Sequence, residues 1–234
     1  MIENKITLCL ITCQRLNLFT QTINSFLENC LDLDLIENII LIDDNSIFAD
    51  ILVMDQLLRK FNKPFDMIKK GAGLKGHQVS LNLMYNINTK YILMLEDDWV
   101  FMVKDNFIRK SFTIMNEDPS IKQVLLRTGD IMAVNQTIRK TKDGIEYIKY
   151  DFPGQFARDS KNRPAWSGWN LNPALWNFEE IKKLGKFPED ESNFEFKYSR
   201  KYWKAGYKVA YFPFNHCEHI GEGQSAYVKN QTRK

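Results

Sequence analysis

Up to about Thr128 the sequence alternates between apolar runs typical of buried strands and segments with apolar residues at helical spacing, and this alternation restricts the fold more than any other feature. The run at residues 6–12 is almost continuously apolar, as expected for a parallel strand covered by helices on both faces. Strands and helices that alternate with short loops predict an α/β fold, a doubly wound and mostly parallel sheet flanked by helices. The further strands are predicted at 36–43, 65–70, 91–96 and 122–128, and the helices at 18–30, 49–61, 77–87 and 106–118.

The pattern changes in the second half of the chain. Residues 137–152 alternate around Asp143-Gly144, which predicts a hairpin. Residues 158–176 are rich in proline, glycine and aromatic residues without a clear period, which predicts a loop that lines a site. Two helices at about 178–184 and 194–205, a strand at 207–212 and a polar tail complete the prediction. No linker divides the chain, so we expect a single domain over residues 1–234.

Composition excludes several functional classes. The net charge of +3 is too small, and the basic residues are too scattered, for a nucleic-acid-binding protein. No apolar run approaches the roughly 20 residues of a transmembrane helix, and residues 1–12 lack the order of a signal peptide. The four cysteines form no CxxC motif, which favours free thiols in a reducing compartment. We therefore expect a soluble cytoplasmic protein, in the host cytoplasm if the source is viral.

Three adjacent carboxylates, Glu96, Asp97 and Asp98, end the predicted strand at 91–96. Adjacent acids repel one another and are costly to bury without a partner. Three uses fit this position: binding a hard divalent cation, acid–base chemistry, or a solvated turn before the helix near Asp105. Mg²⁺ or Mn²⁺ is typically held by one or two carboxylates together with substrate phosphates, and it would offset the repulsion.

Polar residues also follow the other predicted strands of this half. Asp43 and Asp44 end the second strand, and the polar turn 12–15 follows the first. A glycine-rich turn after the third strand places Lys75 and His77 near a helix start, where an anion is favoured. In such sheets ligands bind beyond the carboxyl ends of the strands. Together these residues predict a site for a nucleotide with phosphates and a metal.

These motifs resemble the nucleotide-sugar-dependent glycosyltransferases of the GT-A fold, especially glycosyltransferase family 2. The segment "IILIDDNS" is similar to that family's DD(G/N)S signature, "YILMLEDDW" to the strand entering its DxD-type metal motif, and "YSRKYWKAGYKVAYFP" to its late helix and strand. The resemblance covers about residues 6–225. It implies transfer of a sugar, with inversion, from a nucleotide-diphospho-sugar donor to a glycan or protein-linked acceptor, with Mn²⁺ or Mg²⁺. It also implies a nucleotide-binding half at about 1–128, an acceptor-binding half at about 129–225 and a tail at 226–234.

The resemblance implies roles for individual residues. The base of the nucleotide would be contacted by the turn after the first strand and by Asp44, while Asp97 would approach the ribose or the metal. Asp98 would coordinate the metal that bridges the diphosphate. The candidate donor-binding residues are Thr12, Gln14, Arg15, Asp43, Asp44, Lys75 and Asp97, and the candidate metal ligands are Asp98, Glu96 and His219.

Inverting members of the family use a carboxylate near the start of the late helix as base, about ten residues before an Ala-Gly pair. Counting back from Ala-Gly at 205–206 gives Glu195, although the residue before it is not the family's Glu. Asp190 and Glu191 are competing candidates. Ser192 and Glu195 also fit a capping box, in which Glu195 would have only a structural role.

Aromatic and histidine residues of the second half complete the candidate site. Sugar rings present apolar faces, so Trp166 and Trp169, interleaved with small polar residues, are expected to bind the acceptor, whereas Trp176 is assigned to the core. His219 fits a metal ligand better than His216. A separate zinc site at the His-Cys-Glu-His cluster is the alternative.

Two other functions remain open. A nucleotidyltransferase shares an α/β sheet and acidic metal ligands, but it would normally show a basic glycine-rich signature near the first strand. A catalytically inactive carbohydrate-binding relative would bind glycans without metal-dependent turnover of a donor.

Overall fold

The computed structural model describes residues 4–70, 77–127, 137–152, 154, 162, 164–189 and 193–223. These residues form an α/β structure with one large sheet flanked by helices, which confirms the predicted fold class. The elements in chain order are β1 (Ile6–Thr12), α1 (Leu16–Asn29), β2 (Ile36–Asp43), α2 (Phe48–Arg59), β3 (Phe65–Lys69), α3 (His77–Leu83), β4 (Tyr91–Glu96), β5 (Trp99–Phe101), α4 (Phe107–Glu117), β6 (Ile121–Leu125), β7 (Thr137–Lys140), β8 (Glu146–Tyr150), β9 (Ala174–Asn177), α5 (Phe178–Lys182), α6 (Phe194–Lys204), β10 (Lys208–Tyr211) and β11 (Cys217–His219).

Nine strands form the large sheet, in the order β3-β2-β1-β4-β9-β6-β10-β8-β7. β3, β2, β1 and β4 are parallel, as are β6 and β10, whereas β9 runs antiparallel between β4 and β6. Because β4 and β6 are both antiparallel to β9, their carboxyl ends lie at the same edge of the sheet. β7 and β8 form the hairpin predicted around Asp143-Gly144.

Helices cover both faces of the sheet because side chains of its central strands alternate between two apolar clusters. In β1, Leu8 and Leu10 belong to the cluster that includes residues of α1, α2 and α4. Cys9 and Ile11 belong to the other cluster, with residues of α3, α5 and α6. Each fully buried aliphatic side chain of this kind contributes about 1.5–3 kcal/mol, so a continuously apolar β1 stabilises both layers at once.

The sequence does not predict β9, and the expectation of an irregular loop over residues 158–176 is wrong for the end of that segment. All four residues of β9 are buried at the centre of the sheet, including Trp176, which lies in the core as predicted. A four-residue strand directly after Pro173 is too short to show an alternation of apolar and polar residues or a long apolar run. Its place depends on the hydrogen bonds that β4 and β6 provide on its two sides.

A second, two-stranded sheet brings residues 217–219 back to the three acids. β5 begins directly after Asp98 and pairs antiparallel with β11, so that Trp99 lies opposite His219. The amide of Ile220 donates to the carbonyl of Asp98 (2.9 Å), and the amide of Met102 donates to the carbonyl of His216 (2.9 Å). The polar segment from residue 215 onward therefore contains a strand that its sequence does not predict.

His216 anchors β11 to the body of the protein. Its ring is fully buried, and its Nε2 lies 2.9 Å from Oδ2 of Asp105. The other carboxylate oxygen of Asp105 accepts from the ammonium of Lys110 (2.6 Å) and from the amide of Asn106 (2.8 Å). Burial lowers the pKa of His216 although Asp105 opposes the shift, so the ring is neutral at neutral pH. His216 therefore has a structural role.

Within the described ranges, no helix combines the length and the apolar character that crossing a bilayer requires. The four cysteines are free thiols, as their spacing predicts.

Gly168 provides a test of how tightly the irregular segment before β9 packs on β8. It has a φ of +116°, and a β-carbon added to it would lie 2.9 Å from Cδ1 of the buried Tyr150 ring. We expect Gly168→Ala to lower the free energy of unfolding by about 1–3 kcal/mol, because overpacking adds to backbone strain. Gly144 also has a positive φ (+81°) but nothing lies within 4 Å of its added β-carbon, so Gly144→Ala is the matched control. Urea unfolding measures both variants, and equal losses would contradict the packing argument.

Candidate active site

The turn after β1 is bound directly to Asp97. The hydroxyl of Thr12 donates to Oδ2 of Asp97 (2.8 Å), and the amide of Cys13 donates to the same oxygen (3.1 Å). Gln14 has a left-handed conformation (φ 53°) and turns the chain toward α1, which begins directly after Arg15. The ends of β1 and β4, neighbours in the sheet, are thus joined through one carboxylate.

Arg15 supplies the positive charge that allows Asp97 and Asp98 to lie side by side. Its Nε and Nη2 contact the carboxylate of Asp97, and its Nη1 donates to Oδ2 of Asp98 (2.8 Å). Burial raises the pKa of Asp97 above its ordinary value, while Arg15 opposes that rise. One guanidinium offsets only part of the charge of three adjacent acids, so the cluster keeps a surplus of negative charge.

Asp98 is the acid on which distant parts of the chain converge. Besides Arg15, its Oδ2 lies 3.1 Å from Nε2 of His219. Its Oδ1 is buried and has no hydrogen-bond partner among the described residues. Gly221 packs against the same side chain, and a β-carbon at residue 221 would collide with the carboxylate of Asp98. The absence of a side chain at residue 221 is therefore a requirement of this arrangement.

The turn after β2 holds the second acidic pair. Oδ2 of Asp43 accepts a hydrogen bond from the amide of Ser46 (2.9 Å), which closes the turn after β2. Asp44 forms an ion pair with Lys70, whose side chain is fully buried. The amide of Asp44 donates to the carbonyl of Thr12 (2.8 Å), and the amide of Gln14 donates to the hydroxyl of Ser46 (3.2 Å). The loops after β1 and β2 thus form one connected surface.

Glu96 is the least compensated acid of the cluster. Burial raises its pKa well above the ordinary value, and the charges of Asp98, Asp97 and Glu195 raise it further. Its Oε1 lies 3.3 Å from Nε2 of His77. Burial and nearby positive charges lower the pKa of His77 to about 4, so this imidazole is neutral at neutral pH. Added positive charge would relieve the repulsion at Glu96.

A cavity of about 290 Å³ opens beside the acids. Glu195 lies in the first turn of α6, and its Oε1 accepts a hydrogen bond from the amide of Leu171 (2.9 Å). Burial raises the pKa of Glu195, which favours proton acceptance by this carboxylate. The residues that line the cavity include His77, Glu96, Trp99, Arg127, Glu195 and His219.

Four of the residues weighed in the sequence lie outside the described ranges: Lys75, Asp190, Glu191 and Ser192. The competing assignments of the base, and the capping box, therefore stay predictions. α6 begins after Asn193, whose side chain makes no cap hydrogen bond.

Trp169 does not form a pocket wall, and the expectation that it binds the acceptor is wrong. Its ring is fully buried, with centroid distances of 4.7 Å to Tyr198 and 5.5 Å to both Trp176 and Phe187. A buried ring has no face to offer to a sugar. Trp166 is half-buried, and its Nε1 donates to the carbonyl of Trp169 (2.7 Å). It does not line the cavity described above, so its acceptor role stays a prediction.

Two basic residues of the site are missed by the sequence analysis. Lys70 directly follows β3, next to the strand that ends at Asp43. Arg127 lies two residues after β6, at the edge where β4 also ends. Each lies at or just beyond the end of a strand, but its partners, Asp44 for Lys70 and the Trp99 ring for Arg127, are distant in sequence and were not predictable from the strand pattern.

The carboxylate oxygens and the imidazole nitrogen of the cluster are suitable ligands for a divalent cation whose remaining ligands come from the substrate. In the part of the chain that the structure describes, no three carboxylate, histidine or cysteine side chains converge closely enough to hold a metal alone. Asp98 and His219 lie together, and the buried Oδ1 of Asp98 is a carboxylate oxygen without a described partner. One or two carboxylates with substrate phosphates are the usual ligands of Mg²⁺ and Mn²⁺. A separate zinc site at the His-Cys-Glu-His cluster is disfavoured because Nε2 of His216 is already bound to Asp105 and the thiol of Cys217 is fully buried.

No protein-family model and no curated protein sequence matches the chain, whereas solved structures do. The mannosyltransferase PcManGT from Pyrobaculum calidifontis, solved with GDP-Man and Mn²⁺, gives a TM-score of 0.62 at 13% identity, over 98% of this chain and 60% of that chain. GalNAc-T7, solved with UDP, GalNAc and Mn²⁺, gives a TM-score of 0.64 at 14% identity, over 94% of this chain and 44% of that chain. TarS of S. aureus, residues 1–349, gives a TM-score of 0.64 at 10% identity, over 93% and 60% respectively.

These likenesses show that the chain has the GT-A fold that its sequence resembles. The chain spans 60%, 44% and 60% of the lengths of the three solved chains.

Glu96 provides a test of the charge crowding in the cluster. We expect Glu96→Gln to raise the free energy of unfolding at pH 7 by about 1 kcal/mol, about 2–4 °C in Tm for a chain of this size, because a neutral amide replaces a crowded carboxylate. The folded-state pKa of Glu96 is raised, so wild type is most stable where Glu96 is protonated and loses that stability as pH rises through this pKa.

The gain from Glu96→Gln should therefore shrink at acid pH. Calorimetric melting at pH 7 and at acid pH measures it, with Glu37→Gln on the exposed face of β2 as the matched control. A gain that is absent at pH 7, or that grows toward acid pH, would contradict the argument.

Proposed function

We propose that the chain is a glycosyltransferase that uses a nucleoside-diphosphate sugar and a divalent cation and inverts the configuration of the transferred sugar. The observation that carries the proposal is the joining of the acid cluster at the end of β4 to a cavity lined by Glu195, at the carboxyl edge of a GT-A sheet. The three solved neighbours support it as well. Two of them were solved with Mn²⁺, which favours Mn²⁺ as the cation.

The connected loops after β1 and β2 would bind the nucleotide. Asp44, held by Lys70, offers a carboxylate at the edge of the sheet, and Thr12 and Gln14 border the same surface. Asp97 already accepts bonds from Thr12, Cys13 and Arg15, so its first role is to fix the shape of this surface.

Asp98 and His219, next to Glu96, would hold the cation, which supplies Lewis-acid stabilisation of the leaving diphosphate when it is bound. Arg15 also contacts Oδ2 of Asp98 and adds positive charge next to this carboxylate. A leaving group with two or more negative charges is favoured where positive charge is arranged in advance.

Glu195 would act as the base. The acceptor oxygen forms a bond to the anomeric carbon while the bond from that carbon to the diphosphate oxygen breaks. The electron pair leaves with the diphosphate, and the hydroxyl proton passes to the Glu195 carboxylate. A single displacement of this kind inverts the anomeric centre. The hydrogen bond from the Leu171 amide to Oε1 holds the carboxylate at the cavity wall.

The first test is release of nucleoside diphosphate from a panel of UDP-, GDP- and dTDP-sugars, with Mn²⁺ and with chelator, in the presence of candidate acceptors. We expect Mn²⁺-dependent release from one donor class, and a loss of about 100-fold or more in Asp98→Asn, because electrostatic stabilisation of the leaving group is lost. Asp66→Asn, an exposed carboxylate on β3, is the control.

Release without any metal dependence would contradict the metal assignment. Glycan binding without turnover of any donor would favour the inactive carbohydrate-binding relative, and turnover of a nucleoside triphosphate would favour a nucleotidyltransferase.

The second test concerns the base. We expect Glu195→Gln to lower kcat by about 100- to 10,000-fold while the fold is retained, since glutamine keeps an oxygen acceptor for the Leu171 amide. Because burial raises the pKa of Glu195, the acid limb of the wild-type kcat/KM profile should lie above the ordinary glutamate pKa of about 4.3, with activity rising as pH rises.

The control for this test is Glu179→Gln, an exposed position on α5. If Glu195→Gln kept wild-type kcat, the base would be Asp190 or Glu191.

A further inference from the structure

Arg127 is a cation in the cavity that the proposed mechanism does not use. It lies two residues after β6, and its guanidinium carbon stands 5.4 Å from the centroid of the Trp99 ring. The Trp99 ring also lies 5.0 Å, centroid to centroid, from the ring of His219. Arg127 therefore borders the same wall of the cavity as the proposed metal ligand.

Arg127 differs in its partners from Arg15 and Lys70, the other two cations of the site among the described residues. Arg15 is paired with Asp97 and Asp98, and Lys70 is paired with Asp44. For Arg127, the described residues provide no carboxylate within ion-pair distance, although Glu96 and Glu195 line the same cavity. Its described contact is the π-face of Trp99, which leaves the N–H donors of the guanidinium without a described acceptor.

A half-buried guanidinium in a concave site without a counterion is suited to an anionic ligand. The charge is permanent, and the planar group offers paired N–H donors that match the oxygens of a phosphate or a carboxylate. The contact with Trp99 limits the rotation of the side chain and so reduces the entropy lost on binding. Lys122 provides a contrast: it lies at the start of β6 over the Tyr207 ring (5.7 Å) and does not line the cavity.

We propose that Arg127 binds an anionic oxygen group of the substrate, a phosphate or a carboxylate, in the cavity between His219 and Glu195. The inference rests on the proposed function, which brings a nucleotide sugar to this cavity. Two sources of the anion are possible in chemical terms: the diphosphate of the donor, or a carboxylate on the transferred sugar.

Calorimetric titration separates these sources without relying on turnover. The probes are UDP, GDP and dTDP, their monophosphates, and a neutral and a uronic-acid sugar on the nucleotide that wild type binds, each with Mn²⁺ and with chelator. The variants are Arg127→Met, which removes the charge but keeps an apolar stem, and Lys122→Met as the matched control.

We expect Arg127→Met to weaken binding about 10- to 100-fold, as expected for the loss of charge-assisted hydrogen bonds, while Lys122→Met binds like wild type. A loss that extends to the nucleoside diphosphate assigns the anion to the donor phosphates. A loss confined to the uronic-acid sugar assigns it to a sugar carboxylate. Affinities within twofold of wild type for every probe would overturn the proposal and leave Arg127 a packing residue.

Arg127→Gln covers the case in which Arg127→Met does not fold. It removes the charge but keeps a polar head, and we expect about 10-fold weaker binding from the loss of the charge-assisted hydrogen bonds, so unchanged binding would again overturn the proposal. Failure of folded wild type to bind any nucleotide is a different result. It would overturn the proposed function itself, and the role of Arg127 with it, before any variant is compared.

Discussion

The contact between Arg15 and the carboxylates of Asp97 and Asp98 is the interaction on which the site depends. Three consecutive acids at the end of a core strand repel one another, and burial adds a desolvation penalty to each. The three carboxylates differ in how well their charges are compensated by neighbouring groups. Asp97 is satisfied by the β1 turn, Asp98 is shared between Arg15 and His219, and Glu96 keeps a strongly raised pKa. A region that is electrostatically unfavourable alone is one that a bound cation would stabilise.

The rest of the molecule supports that contact from several directions. The parallel strands β1, β2 and β4 bring the turns at 12–15, 43–46 and 97–98 to one edge. The β5–β11 sheet adds His219, Gly221 follows two residues after β11, and the buried pair of His216 and Asp105 fixes the start of β11. The site is therefore assembled from a rigid sheet edge and one short strand that is tied to it.

The sequence analysis finds the elements whose signal is local. Continuous apolar runs locate β1, β2 and β4, and the acids at the ends of β2 and β4 locate one side of the site. Both signals come from residues that are adjacent in the sequence. It misses β5, β9 and β11, which have three or four residues and exist through pairing with distant strands. It places Trp169 in a pocket wall because small polar neighbours suggest exposure, whereas the positive φ of Gly168 belongs to a turn that packs the ring inside. Arg127 and Lys70 are missed for a related reason, since their importance depends on which charges lie near them in space.

The pairing of β5 with β11 has a consequence for how this protein acquires and loses its site. His219 and Asp98 are 121 positions apart along the chain, and only three residues of β11 pair with β5. Contacts of such long sequence separation close a large loop and belong to the slow, topologically demanding part of folding. A three-residue strand has few hydrogen bonds of its own, so β11 keeps its place through the buried pair of His216 and Asp105 at its start. The proposed cation site at Asp98 and His219 therefore depends on that pair and on the pairing of β5 with β11, and not on the nine-stranded sheet alone.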